Sequence, residues 1–170
     1  MIRRCTDDDV PAIDAIINEA ATAYRGIIPA DCWHEPYMKR NDLVADMAAG
    51  VEFWGWDEAG VLQGVMGLQN VREVTLIRHA YVRPSHQSRG VGGALLTRLT
   101  AQAAGPLLVG TWAAAQWAIR FYERHGFRLV GSDEKDRLLG AYWNISLRQR
   151  QTSVVLAHAH SRPGMTGASG

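Results

Sequence analysis

Apolar positions recur at helical spacing early in the chain: Val10, Ile13, Ile16, Ile17, Ala20 and Ala21. That pattern predicts an amphipathic helix running to about Tyr24. Thr6 stands where an N-cap belongs, and Asp7, Asp8 and Asp9 suit the positive end of the helix. Ile2 to Cys5, just before it, reads as a short strand. Gly26, Pro29 and Pro36 then punctuate a loop carrying Trp33 and Tyr37, and a short helix is expected over Arg40 to Ala49. Val51 to Trp56 and Val61 to Gln69 read as two strands joined by the turn signal Asp57-Glu-Ala-Gly60. Val74 to Arg83 is a further strand, Gly92 to Ala103 a helix with Leu95, Leu96 and Leu99 inward, and Leu107 to Trp112 a strand. A helix over Ala113 to Arg124 is closed by Gly126. Phe127 to Gly131 and roughly Thr152 to Ala157 complete a sheet. Gly64 and Gly67, inside one strand, mark a bulge.

Composition narrows the class. The chain has 170 residues, is 47% hydrophobic and 21% charged, and carries a formal net charge of +1. Those values describe a globular domain with no field that would draw it to nucleic acid or anionic lipid. Cys5 and Cys32 make no disulfide framework and no metal pattern, so no metal site is expected. Met-Ile-Arg-Arg followed by Thr6-Asp-Asp-Asp is no signal peptide. Leu99 to Ile119 carries no formal charge, but Gly105-Pro106 and Gly110 break it, so it reads as core and not as a membrane span. A cytoplasmic location is expected. Residues 1–160 are expected to form one domain, and Ser161 to Gly170, rich in Gly and Ser, a disordered tail. His158-Ala-His160 has metal-like spacing but no third ligand.

The chemistry concentrates in Val82-Arg-Pro-Ser-His-Gln87-Ser-Arg-Gly90-Val-Gly92-Gly-Ala-Leu-Leu96. Here a strand ends, a Gly-rich loop follows, and a helix opens. The first N–H groups of a helix have no intrahelical partner, and the dipole adds positive potential, so the arrangement suits a phosphate. Gly90 and Gly92 let the main chain come close to it. A Walker loop is excluded because no Gly-Lys-Ser/Thr follows. A Rossmann fingerprint lacks its third Gly, and the loop lies mid-chain.

The spacing Gln87-x-x-Gly90-x-Gly92 instead resembles the pyrophosphate loop of the GCN5-related N-acetyltransferases (GNAT). Ala118-Ile-Arg-Phe121-Tyr122-Glu-Arg-His-Gly126-Phe127 is similar to the family's second signature, in the family's order and separation. The resemblance covers nearly all of the chain. It implies an α/β (α+β) fold, with a mixed, mostly antiparallel seven-stranded sheet flanked by about four helices. It also implies transfer of acetyl from acetyl-CoA to a primary amine, by direct attack in a ternary complex.

By that resemblance, Ala80, Tyr81 and Val82 pair with the pantetheine arm through their main chain, and Gln87, Ser88, Arg89, Gly90, Val91, Gly92 and Gly93 hold the pyrophosphate. Tyr122 matches the tyrosine near the thioester sulfur. A phenol of pKa about 10 can protonate a departing thiolate of pKa about 8.5. The positions where many relatives place a basic Glu are Leu76 and Gly110 here, so His79 and Glu73 are the candidate bases, with an ordered water chain as the alternative. Ala115 replaces the family's cofactor-binding Asn, with Gln116 beside it. Strand alternation sets His79 and Tyr81 on one face, Arg78 and Ala80 on the other. Trp33 and Tyr37, with Tyr142 and Trp143 near an expected final hairpin, suit an apolar or cationic amine, and Asp31 and Glu35 could steer one. The expected acceptor is a small-molecule amine. The alternatives are a protein N-terminus or lysine, a longer acyl donor such as propionyl-CoA, and a non-catalytic acyl-CoA-binding module. A homodimer through an exposed final strand is a further expectation.

Overall fold

The computed structural model describes residues 1–159. The tail expected at 161–170, and His160 of the His-Ala-His motif, lie outside the described residues. Seven strands form one mixed, mostly antiparallel sheet in the order β1-β2-β3-β4-β5-β7-β6. They are β1 (Ile2–Arg4), β2 (Glu52–Glu58), β3 (Val61–Val71), β4 (Val74–Val82), β5 (Leu107–Trp112), β6 (Phe127–Leu129) and β7 (Ser153–His158). Six α-helices accompany them: α1 (Val10–Ala20), α2 (Arg40–Ala48), α3 (Val91–Gln102), α4 (Gln116–Arg124), α5 (Ser132–Tyr142) and α6 (Leu147–Gln151).

The last two helices depart from the expected four. α5 begins after Gly131 with Asp133 and Glu134 in its first turn, and it buries Leu138 and Leu139. α6 is capped by Ser146, whose Oγ accepts from the Gln149 N–H at 3.1 Å. Tyr142 and Trp143 therefore stand at the end of α5 and not in a hairpin. The final strand is no free edge either: β7 pairs antiparallel with β5 on one side and with β6 on the other. Among the described residues, β7 thus offers no exposed edge for the dimer contact expected of the final strand.

The chain divides into two compact units. One comprises residues 1–69 and 77–102. Its core packs Ile13, Ile16 and Ile17 of α1 and Leu43 of α2 against Phe53 of β2 and Val65 of β3. Each of these is at most 1% exposed, so together they form the unit's dry centre. Ala59 and Gly60, with φ of 51° and 87°, form the two-residue turn between β2 and β3. Two positive φ values match the twist of an antiparallel hairpin, and the Asp57 carboxylate accepts from the Gly60 N–H at 2.8 Å. The expected bulge is present. Trp56 pairs with Gly64 and Asp57 with Leu62, which leaves Gln63 as the extra residue. The other unit comprises residues 70–76 and 103 onward, and its core packs Val74, Leu76, Leu108, Val155 and Ala157 with Leu138 and Leu139.

Candidate functional site

After β4 the chain makes a single turn of 3-10 helix, Pro84–His86, and enters the Gly-rich loop. Its start is pinned. The Arg83 N–H donates to Gln63 O at 2.8 Å, its Nε to Leu62 O at 3.2 Å, and its guanidinium pairs with Glu19 at 2.6 Å. His86 lies between Ser85 Oγ at 2.8 Å and Glu58 Oε2 at 2.9 Å. The Gln87 side-chain amide turns back to donate to Val82 O at 3.1 Å. Within the loop Ser88 has φ 64° and Gly90 φ 80°. Such backbone is open to Gly and strained for Ser. Gln87, Ser88, Arg89 and Gly90 are all exposed. α3 starts at Val91, and its first internal bond runs from Ala94 N–H to Gly90 O at 3.0 Å. The N–H groups of Val91, Gly92 and Gly93 thus have no intrahelical acceptor. Gly64 of β3 matters to this end of the unit: a Cβ there would stand 2.9 Å from Val91 Cγ1 and 3.2 Å from Val82 Cγ2.

Further back along β4, His79 has φ 52°. A positive φ inside a strand breaks the alternation of faces. Arg78 and His79 consequently reach the same carboxylate, contrary to the opposite faces expected. Asp46 Oδ2, on α2, lies 2.7 Å from His79 Nε2 and 3.4 Å from Arg78 Nη2. Arg78 also donates to Gln69 Oε1 at 2.8 Å. The His79 ring stacks on Phe53, 6.0 Å between centroids. Burial pushes the His79 imidazole below its ordinary pKa, and the nearby Arg78 charge adds to this, while the Asp46 hydrogen bond opposes it. Burial works against the Asp46 charge too, but the His79 hydrogen bond and the Arg78 charge hold the carboxyl below its usual range.

Tyr81, two residues on, belongs to an aromatic group. Its ring meets Tyr24 edge-on at 6.3 Å, Tyr24 lies 5.4 Å from Tyr37, and Tyr37 stacks with Trp33 at 6.0 Å. Burial raises the Tyr81 phenol well above its ordinary pKa, and its neighbours Tyr24 and Tyr37 reinforce the rise. Beside this group Glu35 forms an exposed ion pair with Arg25 at 3.5 Å.

In the other unit Tyr122 is 5% exposed on α4, edge-on to Phe121 and Phe127 at 5.1 and 5.6 Å. α4 ends at Arg124, as expected, and Gly126 follows with φ 89°. Ala115 is its N-cap residue and is fully buried, so the helix start has no side-chain cap. Gln116 does not stand in as a free amide: it donates to Ala113 O at 3.1 Å. Glu73 lies in the two-residue turn that opens β4, where it accepts a hydrogen bond from the Tyr142 hydroxyl. That bond, first of all, holds the Glu73 carboxyl below its usual range. Arg72 lies over the Tyr142 ring, 4.8 Å from its centroid. Gly110 is covered by Trp143, whose indole would be 3.4 Å from a Cβ at that position.

Asp46 was not among the residues singled out from the sequence. Its only signal was an acidic residue on a short helix of mixed polarity, indistinguishable from a solvated one. Among the described residues no three His, Cys, Asp or Glu side chains cluster as metal ligands would, and no helix is long and apolar enough to cross a membrane.

Comparison with known proteins places the geometry. Residues 49–129, which run from the end of α2 through β6, match the model of an acetyltransferase (GNAT) domain. The chain is 29% identical over 159 residues to a peptidyl-lysine N-acetyltransferase, YiaC, of Escherichia coli K12, covering 89% of this chain and 99% of that protein. Among solved structures it resembles a GNAT-family acetyltransferase from Staphylococcus aureus, with TM-score 0.70, 14% identity and coverage of 93% and 97% of the two chains. It also resembles the PaiA N-acetyltransferase of Thermoplasma acidophilum in complex with coenzyme A, with TM-score 0.69, 14% identity and the same coverage. Residues 49–129 thus match an acetyltransferase (GNAT) domain, and the chain shares the fold of solved GNAT-family acetyltransferases.

Proposed function

We infer that the enzyme transfers acetyl from acetyl-CoA to a primary amine carried on an apolar stem, the lysine side chain of a peptide or protein. The observation that carries the acceptor reading is the aromatic group Trp33, Tyr37, Tyr24 and Tyr81. Aromatic faces favour both an aliphatic stem and an ammonium head. The similarity to a peptidyl-lysine acetyltransferase supports a lysine over the small-molecule amine expected first.

In this reading residues 1–160 work as one N-acetyltransferase domain. The exposed loop Gln87 to Gly90 and the N–H groups of Val91, Gly92 and Gly93 hold the pyrophosphate, with Arg89 adding a charge-assisted bond. Ala80, Tyr81 and Val82 hold the pantetheine arm through the main chain.

The acceptor arrives as an ammonium and must lose a proton before its lone pair can attack. His79 takes that proton. Its ring stays neutral at pH 7 because burial lowers its pKa. The amine nitrogen then bonds to the thioester carbon, the carbon–sulfur bond breaks, and the thiolate takes a proton from Tyr122, which is restored by the second proton of the attacking nitrogen. One proton is released to solvent in each cycle, from His79. Glu73 fits the base role less well, since its carboxylate already accepts from Tyr142.

Calorimetric titration with acetyl-CoA, with ATP and NADH as controls, tests the donor half. Turnover of acetyl-CoA with a peptide bearing one lysine, against the same peptide with that lysine acetylated, tests the acceptor half. Binding and turnover with the free lysine alone support the reading. Binding with turnover of small amines alone would restore the small-molecule acceptor.

A further inference from the structure

We propose that Asp46 is a positioning residue for the acetyl transfer: it holds the His79 ring in one tautomer and orientation, so that Nδ1 faces the incoming amine as the proton acceptor. The proposal rests on the reading of His79 as the base.

The argument starts from the two atoms. Asp46 Oδ2 and His79 Nε2 are 2.7 Å apart, a short, charge-assisted distance. The His79 hydrogen bond and the Arg78 charge keep Asp46 ionised, and an ionised carboxylate can only accept. Nε2 must therefore carry the proton of the neutral ring, and Nδ1 keeps its lone pair. A carboxylate fixing an imidazole through one nitrogen while the other does the chemistry is a recurrent solution to base catalysis. The surroundings restrict the ring further. Phe53 of β2 stacks on it, and the positive φ of His79 turns the side chain toward α2. The His79 side chain retains 18% exposure, which leaves an opening for proton exchange.

Two charged groups face His79. Asp46 approaches from α2, and Arg78 from β4 itself; Phe53 on β2 is uncharged. They act in opposite directions: the Asp46 bond raises the pKa of His79, and the Arg78 charge lowers it. Arg78 has a second partner in Gln69, so Asp46→Asn does not leave its guanidinium free. When the acceptor amine gives its proton to Nδ1, the resulting imidazolium faces an adjacent carboxylate that compensates the new charge.

The test uses two substitutions in the full chain, Asp46→Asn and Arg78→Gln. NMR of isotope-labelled histidine follows the titration and tautomer of His79, and rates with acetyl-CoA and a single-lysine peptide are recorded across pH. Asp46→Asn is expected to lower the His79 pKa, to mix its tautomers, and to move the acid limb of kcat/KM to lower pH. Its plateau should fall about 10²-fold, the scale of general-base catalysis. Arg78→Gln is expected to shift both the NMR pKa and the acid limb to higher pH, and Asp46→Glu to restore part of the plateau. An unchanged His79 titration and tautomer in Asp46→Asn would overturn the positioning role, whatever the rates do. A His79 titration that moves while the acid limb stays put would show that another group is the base, overturning the reading on which the proposal stands. Arg78→Gln keeps the question open to measurement should Asp46→Asn fold poorly.

Discussion

A Cβ placed on Gly67 of β3 would stand 2.8 Å from the carbonyl oxygen of Arg78 and 2.8 Å from Val51 Cγ1. The residue before the turned His79 thus presses its main chain onto a neighbour that has no side chain. Any larger residue at 67 must push β4 outward at the position where its direction changes. Gly67→Ala is expected to destabilise the fold by about 1–3 kcal/mol, the range for overpacking a filled site. It should also displace His79, so turnover falls more than the loss of folded protein explains. Thermal unfolding and specific activity of the folded fraction check this.

Removing the hydroxyl of Tyr122 separates chemistry from binding. Tyr122→Phe retains the ring that meets Phe121 and Phe127. The expected outcome is a fall in kcat of about 10²-fold with the KM for acetyl-CoA changed only a few-fold. Steady-state kinetics at saturating acceptor measure it. Equal losses in kcat/KM from weaker acetyl-CoA binding would assign Tyr122 to packing the cofactor instead.

Arg89 lies in an exposed loop. Arg89→Ala should weaken acetyl-CoA binding about tenfold at low salt and less at high salt, because a charged bond to phosphate is screened. Gly90→Ala, at φ 80°, should weaken it as well by straining the loop, with no such salt dependence. Calorimetry at two ionic strengths separates the two.

Acid stability has an identifiable contributor. Asp9 takes two hydrogen bonds from the Arg3 guanidinium, at 2.9 and 2.8 Å, and its pKa is lowered to about 2, chiefly by that bond. The folded pKa lies below the unfolded one, so the stabilisation is complete above the unfolded value. It is lost as pH falls through the folded value. Asp9→Asn should cost about 1–2 kcal/mol near neutrality, partial solvent exposure of Arg3 trimming the full shift. The gap in Tm between the variant and the parent should close between about pH 5 and about pH 2.

Much of this architecture was legible from the pattern of apolar residues. The α1 face, the hairpin at Asp57 to Gly60 and the stop at Gly126 all follow from local rules, and the structure has them. The turn from Gln87 into α3 was readable because the spacing of glycines before a helix is a property of sequence, and the structure has that loop and helix start. α5 was missed, although its acidic first turn and its Leu138-Leu139 pair were visible; Gly140 in its last turn weakened the helical signal. α6 is five residues long, too short for periodicity to register. The Asp46–His79 contact joins residues 33 apart and depends on a positive φ at a histidine, which no local preference announces. Arg78 was assigned to the wrong face for the same reason: a rule of alternation holds only while the strand is regular.

The sheet closes at each end with a strand of only three residues, β1 and β6, and those ends carry Arg3, Arg4 and Arg128. A strand that short offers an incoming chain few unpaired groups. The long, apolar strands that would propagate a fibril are all interior. Folding thus hides its own most aggregation-prone segments, and substitutions that lengthen β1 or β6 would expose a templating surface while leaving every residue of the Gly-rich loop untouched.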